Sequence, residues 1–137
     1  MSEFEKAKFI AIKYIGISKK TVFEVKNKLK QYEYSNVVIQ KAIEYLIDLN
    51  YLNDREYVKL YIKQNINMEK YSVFEMKQKL KQKGIDVKNY NEEFNMLDEI
   101  EYNKKVYKKL FDIKIKNIDE IKVKQYLYRR GFDIRSE

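Results

Sequence analysis

The chain has 137 residues and 29 Lys and Arg against 21 Asp and Glu, a net charge of +8 and a pI near 9.4, a balance that favours partners rich in phosphate or carboxylate. It has no Cys and no His, which excludes disulfides, thiolate zinc sites, a cysteine nucleophile and the usual neutral-pH base, so neither a metal site nor a cofactor is expected. It has no Pro and three Gly, no apolar run near the ~20 residues of a membrane span, and an acidic N-terminus, Met1-Ser2-Glu3-Phe4-Glu5, unlike a signal peptide; helices, a cytoplasmic location and no membrane partner are expected.

Phe4, Ala7, Ile10, Ala11, Tyr14 and Ile15 recur at spacings of three and four, one stripe of a first helix. Gly16 and Ser18 interrupt it. Thr21 precedes Glu24 by three residues, the spacing of a capping box, and Val22, Val25, Leu29 and Tyr32 form the buried stripe of a second helix. Ser35 is placed to cap a third helix with stripe Ile39, Ala42, Ile43, Leu46 and Leu49, which Asn50 terminates in a left-handed conformation. Asp54 is the expected N-cap of the next helix, lined by Val58, Tyr61, Ile62 and Asn65. Ser72 and Glu75 repeat the capping box, and the helix that follows ends at Gly84. Asp86 is expected to start a helix through Val87, Tyr90, Phe94 and Leu97. Tyr102, Val106, Tyr107 and Leu110 give a further helix after a polar join near Asp98. Asn117, three residues before Glu120, marks the expected start of the last, which runs through Ile121, Gln125, Leu127 and Tyr128 to Gly131.

The chain repeats itself. Residues 21–35 and 72–86, 51 positions apart, share eight identities in fifteen. Lys83-Gly84-Ile85-Asp86 and Arg130-Gly131-Phe132-Asp133 match at a shift of 47. The fold class expected is all-α, an elongated, curved array of tandem three-helix repeats with boundaries 1–53, 54–97 and 98–137, the last helix of the third repeat being truncated or absent. An extended monomer is expected.

The repeated middle helix carries Phe23, Lys26 and Lys30 in one copy and Phe74, Lys77 and Lys81 in the other, each set at i, i+3, i+7 and therefore on one face. Each Phe is expected to pack against a first helix, as large aromatics do. The lysines are candidate contacts to an acidic partner. Lys104, Lys105, Lys108 and Lys109 make a second basic cluster, extended by Lys114, Lys116, Lys122, Lys124, Arg129, Arg130 and Arg135. The candidate partner- or DNA-binding residues are Lys26, Lys30, Lys77, Lys81, Lys108, Lys124, Arg129 and Arg130; a merely solvated lysine surface is the competing reading. The pairs Glu92-Glu93 and Asp98-Glu99 lack a glycine loop, His or metal-ligand set around them, and no phosphate-binding loop is present, so no catalytic residue is assigned and an enzyme is not expected.

Three segments then resemble one family. Asn50-Tyr51-Leu52-Asn53-Asp54-Arg55-Glu56-Tyr57-Val58 is similar to a G-Y-L-[DN]-D-x-[RE]-[FY]-[AV] junction, with Asn50 in place of the usual Gly. Lys79-Leu80-Lys81-Gln82-Lys83-Gly84-Ile85 resembles E-L-x-x-K-G-I, and Tyr126-Leu127-Tyr128-Arg129-Arg130-Gly131-Phe132 resembles [FY]-L-x-R-R-G-F. All three, in this order, resemble the RecX family of recombinase regulators, from about Ala7 to Asp133. The resemblance implies non-enzymatic control of homologous recombination. The protein would lie in the groove of the RecA–DNA filament and, most often as an inhibitor, modulate its ATPase, strand exchange and SOS co-protease activity. The implied partners are the RecA filament and single- or double-stranded DNA, met mainly through phosphates. The alternative is a sequence-nonspecific DNA-binding protein acting without a recombinase; no set of Asn, Gln and Arg side chains is placed to read bases.

Overall fold

The spacings of three and four fold as helices. The computed structural model describes residues 1–133, and the described residues contain eight α-helices, one 3₁₀ turn and no strand. They are α1 Glu3–Ile17, α2 Val22–Lys30, α3 Asn36–Asp48, α4 Asp54–Met68, α5 Val73–Gln82, the 3₁₀ turn Val87–Tyr90, α6 Asn91–Asn95, α7 Glu99–Lys114 and α8 Glu120–Arg129. Two compact units result: Met1–Val58 with Gln82–Ile85, and Lys59–Lys81 with the chain from Asp86 onward.

In the first unit the core is Ala7 and Ala11 of α1, Val25 and Leu29 of α2, Ile39, Ala42, Ile43 and Leu46 of α3, and Leu52. Two alanines at i, i+4 put small side chains at the fully buried positions of α1, flanked by Phe4, Ile10, Tyr14 and Ile15, which lets a neighbouring helix approach closely. Thr21 makes the full capping box with Glu24, and Ser35 caps α3 by accepting from the Val38 amide. Asn50 has φ +61°, and the Tyr51 amide returns to the Leu46 carbonyl at 2.8 Å. Asn is the residue best able to replace Gly in that conformation, because its short polar side chain tolerates αL. Tyr32 and Leu49, expected on the buried stripes, are about half exposed: α2 stops at Lys30 and α3 at Asp48, so both fall beyond the helical register that would turn them inward.

In the second unit the buried apolar residues include Ile62 of α4, Val73, Met76 and Leu80 of α5, Phe94 of α6, Tyr102 and Val106 of α7, Val123 and Leu127 of α8, and Phe132. The Tyr102 hydroxyl shares its proton between the carbonyls of Tyr71 (2.7 Å) and Asn65 (3.2 Å). Burial, then Glu69 and Glu75, push its pKa up to about 12. The helix expected from Val87 through Leu97 breaks into the 3₁₀ turn and the five-residue α6, with Tyr90 at φ −126°, ψ 27° between them. The last helix starts at Glu120, not Asn117, and its N-cap Asp119 makes no side-chain cap bond.

One junction is built twice. In the first unit the Thr21 hydroxyl accepts from the Glu24 amide and donates to the Lys83 carbonyl at 2.7 Å. Gly84 follows with φ +79°, and a methyl group there would overlap Cβ and Cγ of Phe23. In the second unit the Ser72 hydroxyl accepts from Glu75 and donates to the Arg130 carbonyl, while Gly131, at φ +94°, would place a methyl 2.6 Å from the Phe74 Cβ. Each Phe therefore lies over a glycine Cα. This corrects the expectation that both are packed away: Phe23 stays 44% and Phe74 52% exposed, because a glycine covers only part of the ring.

Asp54 is corrected too. It is the first residue of α4, whose cap is Asn53, the acceptor of the Glu56 amide. The Asp54 carboxylate instead accepts the Val22 amide at 3.0 Å, one of the orphan donors at the start of α2. In the second unit Asn103 does the same for Val73 at 3.2 Å. Burial, opposed by the Val22 hydrogen bond and reinforced by Glu24, raises the Asp54 pKa. A raised carboxyl pKa means that the fold favours the neutral acid. Its contribution to stability is fullest below the ordinary value of 3.8 and declines as pH rises through the folded-state value.

Two outcomes follow from this geometry. Asp54→Asn keeps the acceptor and removes the charge, so its melting temperature at neutral pH should equal or exceed that of the parent, whereas Asp54→Ala should lose about 1–3 kcal/mol by stranding the Val22 amide. Gly84→Ala should cost about 1–3 kcal/mol from positive φ alone, and more from overlap with Phe23; adding Phe23→Ala should recover only the steric part, a coupling that urea denaturation of the four-member cycle would measure.

Candidate partner interface

The predicted basic residues do not share one fate. In the first unit Lys26 is half-buried and Lys30 is exposed on α2. Glu24, on the same helix, accepts from the Thr21 amide and meets the Lys83 ammonium at 3.4 Å. Burial works against the Lys83 charge, but Tyr57 and Glu24 outweigh it and its pKa is raised.

In the second unit Lys77 is half-buried with its ammonium 5.1 Å from the Phe94 ring centroid, and Lys81 is exposed. Lys108 is exposed on α7. Lys124 pairs with Glu120 at 3.3 Å, but both side chains are 58% exposed and such a pair contributes little. Arg129 is exposed. Arg130 differs from all of these. Its Nε reaches both Glu75 carboxylate oxygens (3.2 and 3.1 Å), and its Nη2 reaches Glu75 Oε1 (3.0 Å) and the Lys70 carbonyl (2.6 Å). Its side chain is 17% exposed, and Glu75 raises its pKa against the opposing effect of burial. Arg130 thus holds the end of α8 to the start of α5, the task Lys83 performs beside Glu24. Lys30, Lys81, Lys108, Lys124 and Arg129 are the exposed members of the predicted set, and Arg135 lies outside the described residues.

Sequence reading missed Asp54, Asn103 and Lys83 as junction residues. Lys83 and Arg130 could have been found, because each directly precedes a repeated glycine; the partners of Asp54 and Asn103 lie about thirty residues away, beyond any local pattern. Among the described residues no group of His, Cys, Asp or Glu is placed to hold a metal, and no helix is long and apolar enough to cross a membrane.

Comparison with known proteins gives this geometry relatives. The model of the RecX first three-helix domain matches residues 7–46. The regulatory protein RecX of Streptococcus sanguinis is 32% identical over 109 residues, 80% of this chain and 42% of that protein. The RecX of Streptococcus uberis is 38% identical over 87 residues, 64% of this chain and 34% of its own length. The crystal structure of RecX from Lactobacillus salivarius matches with a TM-score of 0.78 at 25% identity, over 96% of this chain and 90% of that one. The chain is similar to RecX proteins in sequence and in fold. It spans about a third to two-fifths of the length of these curated relatives, which bear the name regulatory protein.

This similarity gives the RecX-like segments a physical reading. Lys83-Gly84-Ile85 and Arg130-Gly131-Phe132 supply, in order, the carbonyl that accepts the capping hydroxyl, the glycine beneath a Phe, and a buried apolar anchor 3% and 1% exposed. The Asn50–Val58 segment supplies the left-handed turn, the Asn53 cap and the Asp54 acceptor. Arg130→Ala should therefore lower stability by about 1.5–3 kcal/mol, the range for hydrogen bonds to charged groups. Arg129→Ala should stay within about 0.5 kcal/mol of the parent. Thermal and urea denaturation would separate them, and equal midpoints would deny Arg130 its structural role.

Proposed function

We propose that this chain is a non-enzymatic regulator, most naturally an inhibitor, of the RecA recombinase, acting in the cytoplasm as a monomer. It binds in the groove of the RecA–DNA filament and modulates ATP hydrolysis, strand exchange and the SOS co-protease activity. The observation that carries this reading is the RecX-family fold over 96% of the chain at 25% identity to a solved RecX. The two built junctions support division into three repeats, 1–53, 54–97 and 98–137, the completeness of whose last helix falls outside the described residues. Recognition of the assembled filament would shift assembly by differential affinity for the filament over its free subunits.

Lys26, Lys30, Lys77, Lys81, Lys108, Lys124 and Arg129 are the proposed contacts to recombinase or to DNA phosphates. Arg130 acts by holding α8 in place. The exposed members matter most, since a solvated lysine gains more from a partner than one already over a ring. The second reading, a DNA-binding protein with no recombinase partner, draws on the net charge of +8 alone.

Purified chain added to RecA filaments on single-stranded DNA should slow ATP hydrolysis at near-stoichiometric ratios. The charge reversals Lys30→Glu and Lys81→Glu should weaken that effect with helicity and melting temperature unchanged. Both readings predict DNA affinity that falls steeply with salt. Association with the filament at a salt concentration that abolishes binding to bare DNA selects the recombinase reading, and hydrolysis and strand exchange unaffected by excess chain would sink it.

A further inference from the structure

The positive charge is not spread evenly. Between Lys6 and Gln31 stand eight lysines and one carboxylate, Glu24, a net +7, and residues 104–130 carry the same net +7. That carboxylate is already engaged by the Thr21 amide and by Lys83. The Lys6–Gln31 segment is α1 from its second turn onward, the following turn and α2, all within the first unit; Glu3 and Glu5 of the first turn of α1 lie before it. An open cleft of about 290 Å³ runs along it, lined by Phe9, Lys13, Tyr14, Ile17, Lys28 and Tyr32, with Ile10 at its floor.

The lining pairs aromatic faces with ammonium groups. Lys20 lies 4.6 Å and Lys28 5.3 Å from the Tyr14 ring centroid, and Lys28 also lies 6.0 Å from that of Tyr32. Tyr32 is stacked on Tyr34, at 6.2 Å between centroids and 23° between planes, which stiffens it as a platform. Phe9 is 62% and Tyr32 50% exposed, so both rings offer surface to water. Exposed rings set among lysines, in a lining that contains no carboxylate, are the chemistry of single-strand binding, in which bases stack on aromatics and ammonium groups follow the phosphates.

We infer that the α1–α2 cleft of the first unit is a binding site for single-stranded nucleic acid, with bases stacked on Phe9 and Tyr32 and phosphates held by Lys13 and Lys28. The inference deepens the DNA part of the function proposed above and is independent of the recombinase part. The cleft contains no Asn, Gln or Arg to read a base edge, so binding is tolerant of sequence. A duplex would meet the lysines but bring no unstacked base to the rings. The volume, near the lower end of the ~300–1,000 Å³ of small-ligand sites, suits a nucleotide rather than a folded domain.

The test uses the full chain and a labelled oligothymidylate, read by fluorescence anisotropy with no recombinase present. The single strand should bind more tightly than a duplex of equal length at the same salt. Phe9→Ala and Tyr32→Ala should each weaken single-strand binding by about tenfold, within the range of one lost stacking contact, and leave duplex binding unchanged. Lys13→Gln with Lys28→Gln should reduce the slope of log affinity against log salt by about 1.4, two single-strand phosphate contacts. Circular dichroism melts confirm that each variant is folded; because Phe9 and Tyr32 are so exposed, no unfolding is expected. Parent-like affinity in the Phe9→Ala, Tyr32→Ala double variant would overturn the inference. So would equal binding of duplex and single strand, or displacement of the oligonucleotide by polyglutamate of matched charge, which would mark the cleft as a site for acidic protein. Oligonucleotide binding without any effect on recombinase hydrolysis would sink the recombinase reading and leave the cleft standing; an effect on hydrolysis with no oligonucleotide binding would do the reverse.

Discussion

A single hydroxyl meets two demands at the start of each repeated helix. Thr21 and Ser72 accept from the amide three residues on and donate to the carbonyl that precedes a distant glycine. The acceptor half closes an orphan amide of the helix being started, and the donor half closes an orphan carbonyl at the end of another. Only Ser or Thr can do both at neutral pH, since an ionised Asp accepts but does not donate and Asn would have to supply its two functions from separate atoms. With the carbonyl fixed, the next residue must turn with positive φ, and only a residue without a side chain fits beneath the Phe that covers it. The buried anchor after it, Ile85 or Phe132, then follows in register. At α8 the equivalent position is Asp119, and the side-chain cap bond is gone.

The same junction absorbs charge. The capping-box glutamates are also the partners of the basic residue before each glycine, Glu24 with Lys83 and Glu75 with Arg130. Arg at the second of these gains a forked set of bonds to Glu75 that Lys83 cannot make beside Glu24, and its side chain is less exposed than that of Lys83, 17% against 39%. A count of basic residues therefore overstates what is available for a partner, and the surplus that matters is what remains after the junctions are satisfied.

Much of the fold was legible because its signals are local. Both capping boxes, the Ser35 cap, the left-handed Asn50 and the positive-φ glycines were read from spacings of a few residues. The all-helical class followed from the same spacings. The errors arose where a residue answers to something distant or where no rule is strong. Asp54 looks like a cap from its neighbours, but its partner Val22 is 32 positions away. Phe23 and Phe74 look like core from their type, yet each lies over a glycine and stays about half exposed. The stretch after Asp86 has no firm apolar period, and it breaks at Tyr90.

The repeat itself separates structure from surface. α1 and α4 are each fifteen residues long and begin 51 positions apart. At that offset the buried Ala7 and Ala11 meet the buried Val58 and Ile62, so the core is kept in kind and changed only in size. The same offset carries Phe9 to Leu60, Lys13 to Gln64, Tyr14 to Asn65 and Tyr32 to Lys83, so the aromatic and cationic lining of the α1–α2 cleft has only Lys28, matched by Lys79, in common with the second copy. Thr21, Phe23, Glu24 and Leu29, by contrast, return as Ser72, Phe74, Glu75 and Leu80. Residues that return serve a junction that must be built each time. Exposed rings that do not return, in a segment rich in lysine, have no such structural duty. Repetition of a lysine is thus weaker reason to assign it a partner than it first looks, and the unrepeated surface is where a function specific to one copy has room to reside.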